Sequence, residues 1–219
     1  MDDFHQEMEK RGHRFVRYAD DFLVFTKTEQ SARIFRSIER YLTRRFKLVV
    51  NHDKSSIRPT QAVEYLGYTF HGFGGRFGVS DKNLKKFKAR VKEITRRTGG
   101  RSIASRMQEL RRYFQGWVGY FDFGLSPTQL RNLDKWIRRR IRACYWKQWR
   151  HIRTRIRMLL KLGVRRDEAI SHGSSGRGPW VMSSSAAVHV ALSTDYLTKQ
   201  GLASLEEIWS KFASKKRTA

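Results

Sequence analysis

The hydrophobic and polar pattern of the chain changes near residue 80. Residues 13–25, His-Arg-Phe-Val-Arg-Tyr-Ala-Asp-Asp-Phe-Leu-Val-Phe, set aromatic and β-branched side chains on both sides of a polar Asp-Asp. That pattern predicts two short strands joined by a tight turn at Ala19–Asp21. Thr28 is placed to cap a helix whose apolar positions Ile34, Ile38 and Leu42 recur at spacing four. Phe46–Val50 and Val63–Phe70 read as a third and a fourth strand, and the glycine-rich stretch Gly72–Gly78 as a turn or hairpin loop.

From Ser80 onward the period becomes that of helices. The first runs from Asp81 to about Thr98 and is stopped by Gly99-Gly100. The second carries Ile103, Met107, Leu110, Phe114, Trp117 and Phe121 on one face, a core stripe, and ends at Gly124. The third opens on Ser126-Pro127-Thr128-Gln129: a capping serine, a proline in the first helical position and a glutamine placed to complete a capping box. Its apolar stripe is Leu130, Leu133, Ile137, Ile141 and Cys144, with Arg131, Lys135, Arg138, Arg139 and Arg142 on the other faces. After Gly163 the pattern weakens. Gly173–Gly178 reads as a flexible loop, Ala186–Leu192 and Leu205–Phe212 as short helices, and Lys215-Lys216-Arg217 as a basic tail. No internal repeat is visible. The expected fold class is α+β: a small antiparallel sheet with a helix over residues 1–79, a basic helical region over 80–163, and an extension over 164–219 in a position to touch nucleic acid.

Composition sharpens this picture. With 39% hydrophobic and 13% aromatic residues the chain is too apolar for a disordered tail. Lys and Arg number 46 against 20 Asp and Glu, a net charge of +26, with a pI of 10.9. Residues 1–80 hold 14 of the basic and 10 of the acidic side chains, so the excess lies almost entirely beyond them. A surplus of that size repels itself unless it meets a polyanion. A membrane surface could use the same charge, but the basic helices also carry well-formed core stripes. The lone Cys144 excludes an internal disulfide framework and a cysteine-cluster zinc site. No apolar run is long enough to span a membrane, and the polar start Met1-Asp2-Asp3-Phe4-His5 has no secretory pattern. A cytoplasmic protein bound to nucleic acid is expected.

The clearest candidate chemistry is Tyr18-Ala19-Asp20-Asp21 at the hairpin tip. Adjacent carboxylates repel when held partly out of water, and a divalent cation removes that penalty. Mg²⁺ prefers one or two carboxylates completed by phosphate oxygens and water, and in a two-metal site such a pair clamps the oxygens of an in-line displacement. The alternative is that Asp is simply common in hairpin turns. Lys54 follows in Asn51-His52-Asp53-Lys54-Ser55, and Tyr65-Leu66-Gly67-Tyr68 forms a second aromatic-flanked turn. Taken singly, these read as a solvated lysine and an ordinary β-turn.

In order, the three segments resemble the reverse transcriptases. There a Tyr-x-Asp-Asp tetrapeptide between two apolar strands is followed by an Asn-x-x-Lys-Ser/Thr segment and then by an aromatic-Leu-Gly-aromatic turn that grips the primer. The resemblance covers residues 11–70. It implies metal ligation by Asp20 and Asp21, with Asp20 the more direct ligand, and a place for Lys54 beside the triphosphate. It also implies primer or template contact by Tyr18, Tyr65, Leu66, Gly67 and Tyr68. A second resemblance narrows the family. Arg111-Arg112-Tyr113-Phe114-Gln115-Gly116-Trp117-Val118-Gly119-Tyr120-Phe121, followed by a helix dense in Arg and Trp, is similar to the maturase-specific thumb domain of group II intron proteins over about residues 81–162.

On that resemblance the chain is expected to be the end of a palm followed by a thumb. The implied activity is RNA-directed DNA synthesis with Mg²⁺, and the implied partners are intron RNA, a template–primer duplex and dNTPs. No protein partner is implied. Between Arg131 and Arg166 there are 14 basic residues and one acid, Asp134. Arg131, Lys135, Arg138, Arg139, Arg142, Lys147, Arg150, Arg153 and Arg155 are the RNA-binding candidates, with Trp146, Trp149 and His151 interleaved where aromatic faces can stack on bases, the alternative being that at least one tryptophan is a core residue. Two-metal polymerases use a third carboxylate, which in the family lies on an earlier palm strand that would precede Met1. The metal site is therefore expected to be incomplete here and the isolated chain inactive as a polymerase. The paired Cys and His of the family's endonuclease are absent, so DNA nicking is not expected. A non-catalytic RNA-binding maturase remnant is the main alternative, and a generic basic RNA chaperone explains the charge but not the three ordered motifs.

Overall fold

A computed structural model describes residues 2–71 and 75–217. The chain divides into two compact units, 1–76 and 77–219.

In the first unit, helix α1 (Asp2–Lys10) leads into strands β1 (Arg14–Tyr18) and β2 (Asp21–Phe25), which pair antiparallel. A short 3₁₀ turn, Thr28–Gln30, precedes α2 (Ser31–Phe46). Thr28 does not cap that helix through its side chain; Ser31 Oγ instead donates to the Thr28 carbonyl at 2.7 Å. Phe4 and Met8 of α1 and Ile38 and Leu42 of α2 form the buried core. Phe15, Phe22 and Val24 of the hairpin pack against it. Two expected strands come out differently. Residues 47–50 are not a strand: α2 runs to Phe46, Lys47 turns left-handed at φ 56°, and Leu48 N–H closes back on the Leu42 carbonyl. Val63–Phe70 is not one strand but a hairpin of β3 (Glu64–Tyr65) and β4 (Tyr68–His71). Of the expected glycine-rich loop, residues 72–74 lie outside the described residues, and Arg76–Val79 forms a strand, β5, that leads into the second unit.

The second unit is helical. It comprises α3 (Asp81–Ile94), α4 (Ile103–Phe121), α5 (Pro127–Gln148), α6 (Ile152–Lys161), α7 (Arg166–Gly173), α8 (Pro179–Met182), α9 (Ala186–Ala191), α10 (Thr194–Lys199) and α11 (Leu205–Arg217). Helices α3, α4, α5, α9 and α10 begin at serine caps, Ser80, Ser102, Ser126, Ser185 and Ser193, each accepting from the N–H three residues on. α3 is shorter than its pattern predicts and ends at Thr95. The stripe of α4 meets α3 through Phe87, whose ring lies 4.2 Å from that of Trp117 and 5.5 Å from that of Tyr113. Along α5, Leu130, Leu133, Ile137, Ile141 and Cys144 are all buried, as their spacing predicts. Residues beyond Gly163 are far more ordered than their weak pattern suggests. α7 packs closely on α6 because Gly173 has no side chain: a Cβ there would meet Ile156 Cγ1 at 2.5 Å. α11 lies on α4 and α5, with Trp209 Nε1 donating to the Asp122 carbonyl at 3.0 Å.

Candidate functional site

The β1–β2 register pairs Tyr18 with Asp21 and leaves Ala19 and Asp20 as a two-residue loop. Ala19 is left-handed at φ 50°, and Arg17 Nε donates to its carbonyl at 2.9 Å, bracing the turn. Strand alternation sends Phe15, Phe22 and Val24 into the core and leaves Val16, Tyr18 and Phe25 on the outer face. Tyr18 is 65% exposed, and Asp20 and Asp21 are exposed as well. The two carboxylates therefore stand in water rather than partly withdrawn from it. Their hard oxygens, adjacent at a tip, suit Mg²⁺ with room for its retained waters. Among the described residues no group of three or more His, Cys, Asp or Glu is assembled into a metal site, so the fit is that of two ligands rather than of a full cage.

The second hairpin reaches the first. β3 and β4 pair Tyr65 with Tyr68 across Leu66 and Gly67, whose φ angles are 50° and 84°. A two-residue turn with both central residues left-handed suits the twist of the strands it joins, and glycine takes that conformation without strain. The Tyr65 hydroxyl donates to the Asp21 carbonyl at 3.2 Å, and Phe25 and Phe70 meet edge to face with centroids 5.9 Å apart. The Tyr-Leu-Gly-Tyr and Tyr-Ala-Asp-Asp hairpins are thus held together although 44 residues separate the bonded pair. Withdrawal from water, and secondly the Asp21 charge, push the Tyr65 phenol above its ordinary value. Lys54 sits in a turn whose Asn51 Oδ1 accepts from the N–H groups of Asp53 and Lys54. It is exposed, and no ion pair joins it to Asp20 or Asp21 among the described residues.

In the second unit the basic residues separate into two groups. One is engaged within the fold. Arg142 is 6% exposed; its Nε donates to the Leu192 carbonyl at 2.9 Å and its Nη1 lies 3.4 Å from His189 Nε2. Burial, then the Arg142 and Arg139 charges, hold His189 below its ordinary value. Arg139 stacks over the Trp180 ring at 4.1 Å and donates to the Trp180 carbonyl. Arg155 donates to the carbonyls of Trp149 and Ser175 and lies over the Trp146 ring. Two further arginines bond at and beyond the C-terminal end of α3: Arg140 donates to Thr95 Oγ1 and the Lys92 carbonyl, and Arg106 to the carbonyl of Arg96 just past the helix and to that of Arg101 in the loop before α4. Guanidinium groups are well suited to satisfying the carbonyls that a helix end leaves unpaired.

The other group faces solvent. Lys135, Lys147, Arg150 and Arg153 are exposed, and among the described residues none of them forms an ion pair. Arg131 is exposed and lies 3.6 Å from Glu206, and Arg138 is half-buried. Arg157 and Lys161, not singled out from the sequence, follow Arg153 at spacing four on α6 and are also exposed. The signal was present in that spacing.

The group II intron maturase-specific domain model matches residues 84–163, and the reverse transcriptase (RNA-dependent DNA polymerase) model matches residues 1–70. The chain belongs to the reverse transcriptase/maturases encoded by group II introns. Comparison with curated proteins finds no match. The two family regions coincide with the two kinds of surface described above: the reverse transcriptase match holds both hairpins, and the maturase match holds α4, α5 and α6. One part of the stacking expectation for the maturase region is corrected. Trp146 is 0% and Trp149 6% exposed, so both rings belong to the core and only His151 of the interleaved trio is exposed. No helix among the described residues is long and apolar enough to cross a membrane.

Proposed function

We propose that the first unit carries the metal-binding end of an RNA-directed DNA polymerase site and that the second grips structured intron RNA to assist splicing and mobility. The observation that carries the first half is the bond from Tyr65 to the Asp21 carbonyl. It couples the turn that approaches a primer to the turn that would hold metal, as polymerisation requires of groups acting on one 3′ end. Asp20 and Asp21 would hold Mg²⁺, which neutralises the triphosphate and lowers the charge barrier to attack. Tyr18 and the Tyr65–Tyr68 turn would position the primer terminus, with Gly67 allowing the backbone close. Lys54 would swing from its exposed turn to protonate the departing pyrophosphate.

For the second half, the support is the set of exposed cations Lys135, Lys147, Arg150 and Arg153, extended by Arg157 and Lys161. Arg131 and Arg138 stand at its margin, while Arg139, Arg142 and Arg155 act through the fold that presents the others. With two carboxylates where two-metal transfer uses a third, the polypeptide by itself should bind Mg²⁺ weakly and leave a primer unextended.

Fluorescence anisotropy of the full chain with a labelled group II intron RNA and with a scrambled RNA of equal length tests the grip. Tighter binding to the intron RNA is expected, and equal affinity for the two would reduce the protein to a generic RNA binder. Incorporation of dNTPs on an RNA template by this polypeptide alone would overturn the expectation that it is inactive.

A further inference from the structure

We infer that the outer face of α2 is a second RNA-phosphate contact, on the reverse transcriptase unit and separate from the basic helices of the maturase region. Over residues 1–80 the charges nearly balance, yet the helix collects its cations on one side. Arg33, Arg36, Arg40 and Arg44 follow one another at spacings of three, four and four. At 100° per residue they fall within a narrow arc opposite Ile38 and Leu42, the buried residues of the same helix. All four are exposed, and among the described residues none is in an ion pair. The acid closest to them in sequence, Glu39, is taken by His52 at 2.8 Å. Three of the four residues lining an open surface depression are arginines of this row: Arg33, Arg36 and Arg40, with Glu39.

A face that serves only solubility mixes signs, because like charges three and four residues apart destabilise their own helix. This row has three such repulsive steps, and the one acid beside it, Glu39, is bonded to His52. Arg36 and Arg40 each direct Nε to the carbonyl four residues back, at 3.3 Å, while their terminal nitrogens make no hydrogen bond among the described residues. That holds the stems against the helix and leaves the guanidinium forks for an outside acceptor. Four arginines and no lysine point to phosphate, which the planar fork binds bidentately. The row extends about 16 Å along the helix axis, enough to follow several phosphates of one strand. An anionic membrane is the weaker fit, since a membrane-lying helix offers an apolar face and the one on α2 is buried in the unit core.

The test uses the full chain, a fluorescein-labelled structured RNA and a salt titration. Replacing Arg33, Arg36, Arg40 and Arg44 together with Gln, a good helix former at exposed positions, should leave the helical circular dichroism unchanged. The slope of log affinity against log salt should fall by about 3, with binding at least about tenfold weaker at low salt. An unchanged slope would overturn the inference. A measurement on the unaltered chain guards against misfolding of the variant: RNA should protect these four arginines from hydroxyphenylglyoxal. Protection of Arg150 and Arg153 without protection of the α2 row would overturn it, as would protection of the row by phosphatidylserine vesicles but not by RNA. Failure of the unaltered chain to bind RNA at all would instead sink the function proposed above.

Discussion

Removing the Asp134 carboxylate should unseat α11. Asp134 lies on α5 and is 4% exposed, yet it serves another helix. It accepts from Ser204 Oγ at 2.7 Å, from Leu205 N–H at 3.0 Å and from Glu206 N–H at 3.3 Å. The first N–H groups of a helix have no partner within it, so this carboxylate acts as a cap supplied from outside. Loss of a cap costs about 1 kcal/mol, and a buried donor left unpaired costs about 1–3 kcal/mol. The Leu205 bond is buried and the Glu206 bond only partly so, which places Asp134→Ala at about 2–3 kcal/mol. For a unit of this size that is a fall in Tm of roughly 5–10 °C. Asp134→Asn keeps one acceptor oxygen, can donate to the Ser204 hydroxyl and gives up only the longest bond, so about 1 kcal/mol is expected.

Proton linkage separates the two variants further. Burial is the largest influence on Asp134 and raises its pKa; the bonds from Leu205, Ser204 and Glu206, and the Arg138 charge, pull it back only in part. A carboxyl raised in the folded state stabilises fully below its ordinary value, and that contribution is lost as pH rises through the folded pKa. The advantage of the native chain over Asp134→Asn should therefore shrink as pH rises through the acid range. Urea unfolding followed by tryptophan fluorescence at several pH values measures all of this. An Asp134→Ala melt unchanged from the native one would refute the capping role. Equal damage from Asn and Ala would show that the charge, not the acceptor geometry, holds α11.

Three further outcomes follow from the same contacts. Arg142→Ala should destabilise the helical unit by about 2 kcal/mol, since it strands the Leu192 carbonyl, whereas Lys147, Arg150 and Arg153 changed together to Gln should weaken RNA binding and leave the melt unchanged; paired urea and anisotropy measurements distinguish them. Tyr65→Phe should remove a loss of stability at alkaline pH, because a phenol held above its ordinary value stabilises fully below that value and ceases to do so as pH rises through its folded pKa; identical alkaline melts of the variant and the native chain would count against the bond to Asp21. Cys144 is buried and its thiol pushed up chiefly by burial, so it should react with Ellman's reagent only after the chain is unfolded, and rapid labelling of the native chain would contradict its place under Thr95.

Read alone, the sequence was enough to determine the β1–β2 hairpin, the apolar stripes of α4 and α5, the Ser126 cap and the family. Each of these depends on residues a few positions apart, and local spacing records it directly. The strand expected at 46–50 failed because a left-handed Lys47 ends α2 there, and the single strand expected at 63–70 failed because Leu66 and Gly67 reverse the chain between β3 and β4. Only the tertiary structure decided which charges face out. Arg142 and Arg150 look alike in sequence, yet one meets a carbonyl 50 residues away and the other meets water. An arginine stem is apolar enough to be buried, and its guanidinium can be satisfied by carbonyls as well as by phosphate. Which of these it meets depends on where distant helices end. The Tyr65–Asp21 bond and the Asp134 cap, across 44 and about 70 residues, belong to that same class of contact.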